Sequence, residues 1–438
     1  MKIAVIGSGI SGLSSAWLLA RRHAVHLYEA ETRLGGHTHT VEVPLADGRV
    51  QPVDTGWIVY NGLNYPNLTA LFGELGVQTR PTSMSFGVSL GGGAYEWTGS
   101  DQLWTVFAQP SNLLRPRHLR LLIDILRLNR KANALLRSGR LPDGSLGQWL
   151  DTVGFSRELA ARYLLPMAGL IWSCSPRKAM EYPAADFMRF FDSHSLFTAT
   201  GQPTWYTVIG GSHQYVKKLQ VSFQGELRLG QAVRAVRREA EGGLVVETAN
   251  SRERYDQVVL ATHADTSLRL LPEADAETQA VLAGIPYNAS RCVLHTDTRF
   301  LPRRRRAWAS WNYVNAGVDP WAADLDAEIH DRPISGSYWM NRLQGIEGPV
   351  QYVVTLNPER EIPRDQVILD TTYHHPHYGA GSVLTHERLP AVQGRGGLWL
   401  AGAWAGYGFH EDGLKSGLRV VQGLDPDCLP GWAVLGKE

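Results

Sequence analysis

At 438 residues and 44% hydrophobic side chains, the chain can bury a large core and outgrows a single one, because cores rarely extend past about 250 to 300 residues; two associated domains are expected. A net charge of +1 leaves no global field to attract nucleic acid, and the three cysteines, Cys174, Cys292 and Cys428, lack C-x-x-C or metal-ligand spacing, which argues against a disulfide framework and fits a reducing compartment. The chain opens on a folded strand with no signal-peptide pattern, and its most apolar stretch, Tyr163 to Cys174, is broken by Pro166 and too short to span a bilayer, so a cytoplasmic protein is expected.

The first predicted elements are the most informative. An apolar strand, Ile3 to Ile6, runs into Gly7-Ser8-Gly9-Ile10-Ser11-Gly12, then a helix to about Arg22 and a second strand, Val25 to Tyr28, ending on Glu29. In G-x-G-x-x-G the first glycine makes the tight turn, the second lets backbone approach a pyrophosphate, and the third allows close helix–strand packing. Amides of the turn and helix start, from Ser8 to Gly12, then hold the phosphates. Glu29, seventeen residues past Gly12, is placed to accept the hydroxyls of an adenosine ribose and to repel a 2′-phosphate, which disfavours NADP. The continuation Glu29-Ala30-Glu31-Thr32-Arg33-Leu34-Gly35-Gly36-His37 resembles the extended motif of the amine oxidase, protoporphyrinogen oxidase and phytoene desaturase superfamily of flavoproteins. The resemblance implies FAD, with Arg33 near the pyrophosphate and Gly35, Gly36 and His37 along the cofactor; the other reading is a surface loop with a salt-bridging Arg33. It also implies an α/β fold in which a Rossmann-type FAD-binding domain interleaves with an α+β substrate domain.

The later elements follow that interleaving. Arg49 to Tyr60 carries Asp54-Thr55-Gly56-Trp57, where the superfamily returns to the cofactor, which would bring Gly56 and Trp57 to it. A helix from Asn67 to Gly76, a hairpin around Gly91-Gly92-Gly93 and a long helical section from Ser111 to Met188, read as a lid, come next. Gly210-Gly211 then precede a helix, and two strands, Ala232 to Val236 and Gln257 to Thr262, flank a turn at Glu241-Gly242-Gly243. In relatives the Val233 position gives adenine a backbone contact and the Thr262 position closes the sheet; both fit ordinary strands equally well. Thr266 to Arg388 leaves the cofactor domain again, with Trp308, Trp311, Trp321 and Trp339 suiting a large apolar cavity or a plain core. Gly397 to Trp404, with Gly402 and Ala403, is the last buried strand, and a closing helix starts at about Gly413. The expected FAD-binding domain is therefore 1–80, 205–265 and 389–438, and the substrate domain 81–204 and 266–388.

The second strong signal is Ala405-Gly406-Tyr407-Gly408-Phe409-His410-Glu411-Asp412-Gly413, between the last strand and the last helix. Relatives place the flavin here, against the helix N-terminus, where positive dipole favours the charge that develops as hydride reaches N5. By that resemblance Phe409, His410 and Glu411 face the flavin, and His410 walls the site or takes a proton; otherwise the three polar residues 410–412 simply cap the helix. Amine oxidases carry a lysine that reaches flavin N5 through water, and the strand Ala289 to Leu294 puts Arg291 at that position, which argues against amine dehydrogenation of the usual kind. The strings Ile171-Trp172-Ser173, Met188 to His194, Ala261 to Asp265 and Gly406 to Gly413 resemble a bacterial subgroup of predicted NAD/FAD-binding oxidoreductases, seen also as the N-terminal domain of plant cyclopropane fatty acid synthases. That likeness implies a dehydrogenase or desaturase passing hydride from an apolar, acyl-lipid substrate to FAD, in company with an acyl-chain methyltransferase. The rivals are a flavin amine oxidase and a non-catalytic FAD-bearing partner of a lipid methyltransferase.

Two further features bear on partners. Ser111 to Arg140 holds eight basic residues against one acid, Asp124, interleaved with leucines and isoleucines, so this helix either lies on an anionic inner membrane surface or packs with a solvated basic face. Arg303 to Arg306 extend that patch or form a solvated loop. His374-His375-Pro376-His377 lacks helical spacing and a completing Cys or carboxylate, so no metal is expected.

Overall fold

A computed structural model describes residues 1–100, 103–172, 174–197, 202–239, 241–315, 317 and 334–436; Ser173 and Trp321 of the sequence reading lie outside them. The elements that position the site are, in chain order, β1 (Lys2–Ile6), α1 (Ile10–Leu19), β2 (Ala24–Tyr28), α2 (Pro66–Leu75), α3 (Pro116–Ser138), α4 (Ala184–Ser193), α5 (His213–Ser222), β3 (Tyr287–His295), β4 (Val367–Pro376) and α6 (His410–Leu424). Ile3, Ala4 and Val5 of β1 are wholly buried, as a strand covered on both faces requires: Ile3 and Val5 face the side of α1, and Ala4 faces the meander strands of residues 235–255. Its partners make an all-parallel sheet in the order 226–228, β2, β1, 257–260, 398–400, with Val5 opposite both Leu27 and Val259.

The second large sheet has seven strands in the order β4, β3, 353–356, 336–339, 311–315, 86–90, 95–99. All pairs are antiparallel except 311–315 with 86–90. The parallel sheet draws its strands from the three chain segments read as the cofactor domain, and the seven-stranded sheet from the two read as the substrate domain. Pro66 opens α2 at its first turn and Gly76, at φ 62°, closes it.

The helical section divides into α3 and shorter helices, with breaks around Pro142, at Gly154 and before Pro176. Two boundaries differ from the sequence reading. The strand expected at 232–236 runs instead over Ala235–Arg238, in an antiparallel meander with Leu244–Glu247 and Arg252–Tyr255. Finally α6 begins at His410, because the Asp412 carboxylate accepts the Phe409 and Tyr407 amides, both at 3.0 Å, and so caps the helix three residues early. No helix among the described residues is long and apolar enough to cross a membrane.

Candidate flavin site

The glycine turn has the shape a dinucleotide requires. Gly7 sits at φ +100° and its amide bonds Tyr28 O at 2.8 Å, tying the turn to the end of β2. A Cβ on Gly12 would lie 1.9 Å from Gly7 O, so only glycine lets α1 approach β1 this closely. A Cβ on Gly9, by contrast, would meet nothing within 4 Å: the cradle is open where a pyrophosphate must enter. The Glu29 carboxylate is fixed beside it, accepting the Ser8 amide at 2.9 Å, the Ser8 hydroxyl at 2.5 Å and the Glu31 amide at 3.0 Å. Gln231 N bonds Glu29 O at 2.9 Å, which brings the loop holding Val233 beside the same strand end. Ala30 is exposed just beyond it. These residues fit the adenosine and diphosphate of FAD.

Arg33 spans its own loop: its guanidinium donates to Gly36 O at 2.8 Å and pairs with Glu31 at 3.0 Å. That contact closes the turn in which Gly35 bonds Ser8 O at 3.0 Å and Gly36 packs against Gly9. Opposite, Thr262 packs against Gly7 and its carbonyl accepts Trp404 Nε1 at 3.2 Å, while the Gly402 amide donates to Ser416 Oγ at 2.9 Å, with Ala403 following. Cβ atoms on Gly413 and Gly417 would strike Ile10 and Ser11, so α1 and α6 run side by side and their positive N-terminal ends share one edge of the sheet.

Between these ends the chain is bolted together by aromatic residues. Trp57 N donates to His37 O at 2.9 Å, and Gly56 leaves no room for a Cβ, which would lie 2.0 Å from the same carbonyl. The Trp57 ring stacks on His410 at 4.4 Å and 14°. His410 Nε2 bonds Tyr215 Oη at 2.8 Å, and that hydroxyl bonds Thr38 Oγ1 at 2.6 Å, linking α6 through α5 to the loop after the paired glycines. Burial pushes His410 down to about 3, so its imidazole is neutral throughout the physiological range.

Two residues expected at the chemistry are placed elsewhere. The Glu411 carboxylate points to α2, where it accepts Asn67 N at 3.0 Å, Asn67 Nδ2 at 2.7 Å and Leu68 N at 2.9 Å; a helix N-terminus has unpaired amides, and this buried acid satisfies them. Arg291 lies on the solvent side of β3, exposed and bidentate to Asp370 at 3.0 and 2.6 Å. Strand alternation places its neighbour Ser290 on the buried face instead, opposite Tyr373 of β4.

On that face stand His37, His263, His375 and Tyr373, with His37 5.7, 5.5 and 5.1 Å from their rings, and Tyr287 stacked on His263 at 4.6 Å. Burial lowers His37, His263 and His375, the last to about 4, and each is further opposed by its histidine neighbours. Among the described residues His37 Nε2, His375 Nδ1, Ser290 Oγ, Tyr378 Oη and Trp57 Nε1 are buried without a hydrogen-bond partner, as expected of a site that a bound molecule completes. A second wall is apolar: Phe409 stacks on Phe190 of α4 at 5.1 Å, and His194 lies 4.9 Å away, also lowered by burial.

Thr38 carries no sequence signal, while Tyr215 and Ser290 stand in the sequence only as members of the helix after Gly210-Gly211 and of the strand Ala289 to Leu294. Asp54 carries one, within the Asp54-Thr55-Gly56-Trp57 string, and it is buried as the acceptor for Ser212 N at 2.9 Å, Ser212 Oγ at 2.8 Å and Gln344 Nε2 at 2.9 Å. It fastens the Gly210-Gly211 turn to the strands before Gly56.

A family profile described as flavin containing amine oxidoreductase matches residues 10–424. The carotenoid phi-ring synthase of Streptomyces griseus is 29% identical over 66% of this chain and 59% of its own length. A protoporphyrinogen oxidase from Schizosaccharomyces pombe is 48% identical over 11% of this chain and 10% of its own, so the chain spans less than two thirds of either curated relative. Among solved structures, a CLA-producing fatty acid isomerase from P. acnes superposes with a TM-score of 0.66 at 15% identity, covering 97% of this chain and 98% of that one. Cyclohexylamine oxidase from Brevibacterium oxydans gives 0.67 at 14% identity, over 97% and 99%. At such identities the superpositions speak for the fold alone.

Proposed function

The chain belongs to the flavin-containing amine oxidoreductases, and from that premise we propose that this FAD-dependent oxidoreductase acts as a dehydrogenase or desaturase on an uncharged, apolar substrate of the acyl-lipid class. The observation that carries the reading is the lining of the site. Its walls are the rings of Phe190 and Phe409 and the imidazoles of His37, His194, His263, His375 and His410, all driven toward neutrality by burial. The two carboxylates at the start of α6 are committed, Glu411 to α2 and Asp412 to the turn before the helix, leaving neither free to balance a substrate ammonium. Arg291 stands outside the site, so the sequence argument against amines from that residue lapses and the lining replaces it. The name of the carotenoid phi-ring synthase relative also fits an apolar substrate.

Bound in the cradle, FAD supplies the hydride acceptor. The chain's own groups do the rest. Phe190 and Phe409 exclude water and hold an alkyl chain by apolar contact. His410, with Nε2 engaged by Tyr215 and resistant to protonation, orients the wall and is a weak base. The proton that leaves the substrate carbon falls to a partnerless buried nitrogen, His37 Nε2 or His375 Nδ1, each a weak base like His410 because burial lowers it. Anaerobic mixing of the FAD-loaded protein with phospholipids bearing monounsaturated, cyclopropane or methyl-branched chains tests the reading: at least one bleaches the long-wavelength flavin band while alkylamines leave it unchanged. Bleaching by amines with aldehyde release, and by no lipid, makes the protein an amine oxidase.

A further inference from the structure

We infer that the outward face of α3, with the turn before it, seats the protein on an anionic lipid bilayer. The helix buries His118, Leu121, Asp124, Leu128 and Ala132 on one side. On the other, Leu119, Ile123 and Leu126 form a ridge exposed by 40, 54 and 60%, and the approach to the helix adds Trp104, Leu113 and Leu114 at 61, 54 and 87%. These six are more than a third of the sixteen exposed large hydrophobic side chains among the described residues, and they fall within 23 residues of sequence. A contiguous apolar ridge of this kind is rare on a surface that meets only water.

Charge decides what covers it. Residues 111–140 carry a net +7, and the one acid, Asp124, is buried beneath Arg120 and Arg127, which it pairs with at 3.1 and 2.6 Å. Helical spacing sets Arg120, Arg127 and Lys131 along one flank of the ridge. Arg130, Lys131, Arg137 and Arg140 are exposed, with neither ion pair nor side-chain hydrogen bond among the described residues. At the patch edge Arg304 is spent on the buried Glu96, at 2.8 Å, while Arg303, Arg305 and Arg306 remain exposed. Protruding leucines and a tryptophan between unpaired cations match the apolar boundary and anionic headgroups of a leaflet; a folded acidic partner would offer charge without a medium for the ridge to enter.

The test uses the FAD-loaded full chain, sedimented with vesicles of phosphatidylcholine alone or doped with phosphatidylglycerol. Binding should be confined to the doped vesicles, weaken with added salt, and fall about fivefold for each charge removed in Arg130→Ala/Lys131→Ala. Leu119→Glu/Ile123→Glu/Leu126→Glu should abolish it with the flavin spectrum retained; should that variant lose its flavin, the Arg130/Lys131 variant and the salt series decide. Equal binding to both vesicle types, or binding that survives the leucine substitutions, overturns the inference. Capture by soluble polyglutamate that ignores those substitutions would do the same, in favour of an acidic protein partner.

Discussion

Substituting Gly9 by alanine separates folding from cofactor binding. Gly9 has φ −61° and ψ 176°, a conformation any residue adopts, and its added methyl meets nothing within 4 Å. The flavin-free protein should therefore keep its stability, or gain about 0.4–1 kcal/mol from the stiffer unfolded chain. The same methyl fills the open cradle and holds a diphosphate off the amides of the turn. Losing two charge-assisted hydrogen bonds at about 1.5–3 kcal/mol each weakens FAD by roughly a hundred- to ten-thousandfold. Gly12→Ala is the contrast: its methyl would sit 1.9 Å from Gly7 O and 2.9 Å from Ala261 Cβ, so α1 must shift and about 1–3 kcal/mol of stability goes with the binding. Thermal unfolding of the flavin-free forms and titration of flavin fluorescence read the two effects. If Gly9→Ala binds FAD within about threefold of the parent, the cradle is not where the diphosphate lies.

Three other substitutions have definite outcomes. Glu411→Ala strands the amides of Asn67 and Leu68 and should cost about 3 kcal/mol in denaturant unfolding; a cost below about 1 kcal/mol would mean that α2 is capped some other way. Arg291→Ala removes an exposed ion pair, so stability should change by less than about 1 kcal/mol and turnover not at all, and a large loss of turnover would return Arg291 to the site. His410 stays neutral in the fold to about pH 3 but protonates near 6.5 when unfolded, so the unfolded state holds the extra proton in that window. Stability of the flavin-free protein therefore falls as pH falls, by about 1.4 kcal/mol per pH unit from this residue, and His410→Phe, which retains a ring on Trp57, should remove that part of the slope.

Much of this site is legible in the sequence because its parts are local. Gly7, Gly9 and Gly12 are constrained by a turn a few residues long, and Glu29 by the strand that follows, so their spacing alone reports their geometry. The start of the final helix is misread by three residues because a cap at 410–412 reads as preceding the helix, whereas Asp412 sits within its first turn and its carboxylate reaches back to the Tyr407 and Phe409 amides. Arg291 fails for a sharper reason: an error of one residue in a strand exchanges the solvent face for the buried one, and Ser290 takes the inner position. The link from His410 through Tyr215 to Thr38 joins residues 195 and 177 positions apart, which no periodicity can express. Nor does composition reveal that five histidines will share a neutral lining, since burial sets their charge.

Whether an uncharged chain gives up hydrogen beside these neutral side chains is read most directly from the mass of the acyl chain after anaerobic reaction with stoichiometric FAD-loaded protein. One dehydrogenated chain per reduced flavin is the predicted result; a reduced flavin beside an unaltered chain, or reduction only by amines, would contradict it.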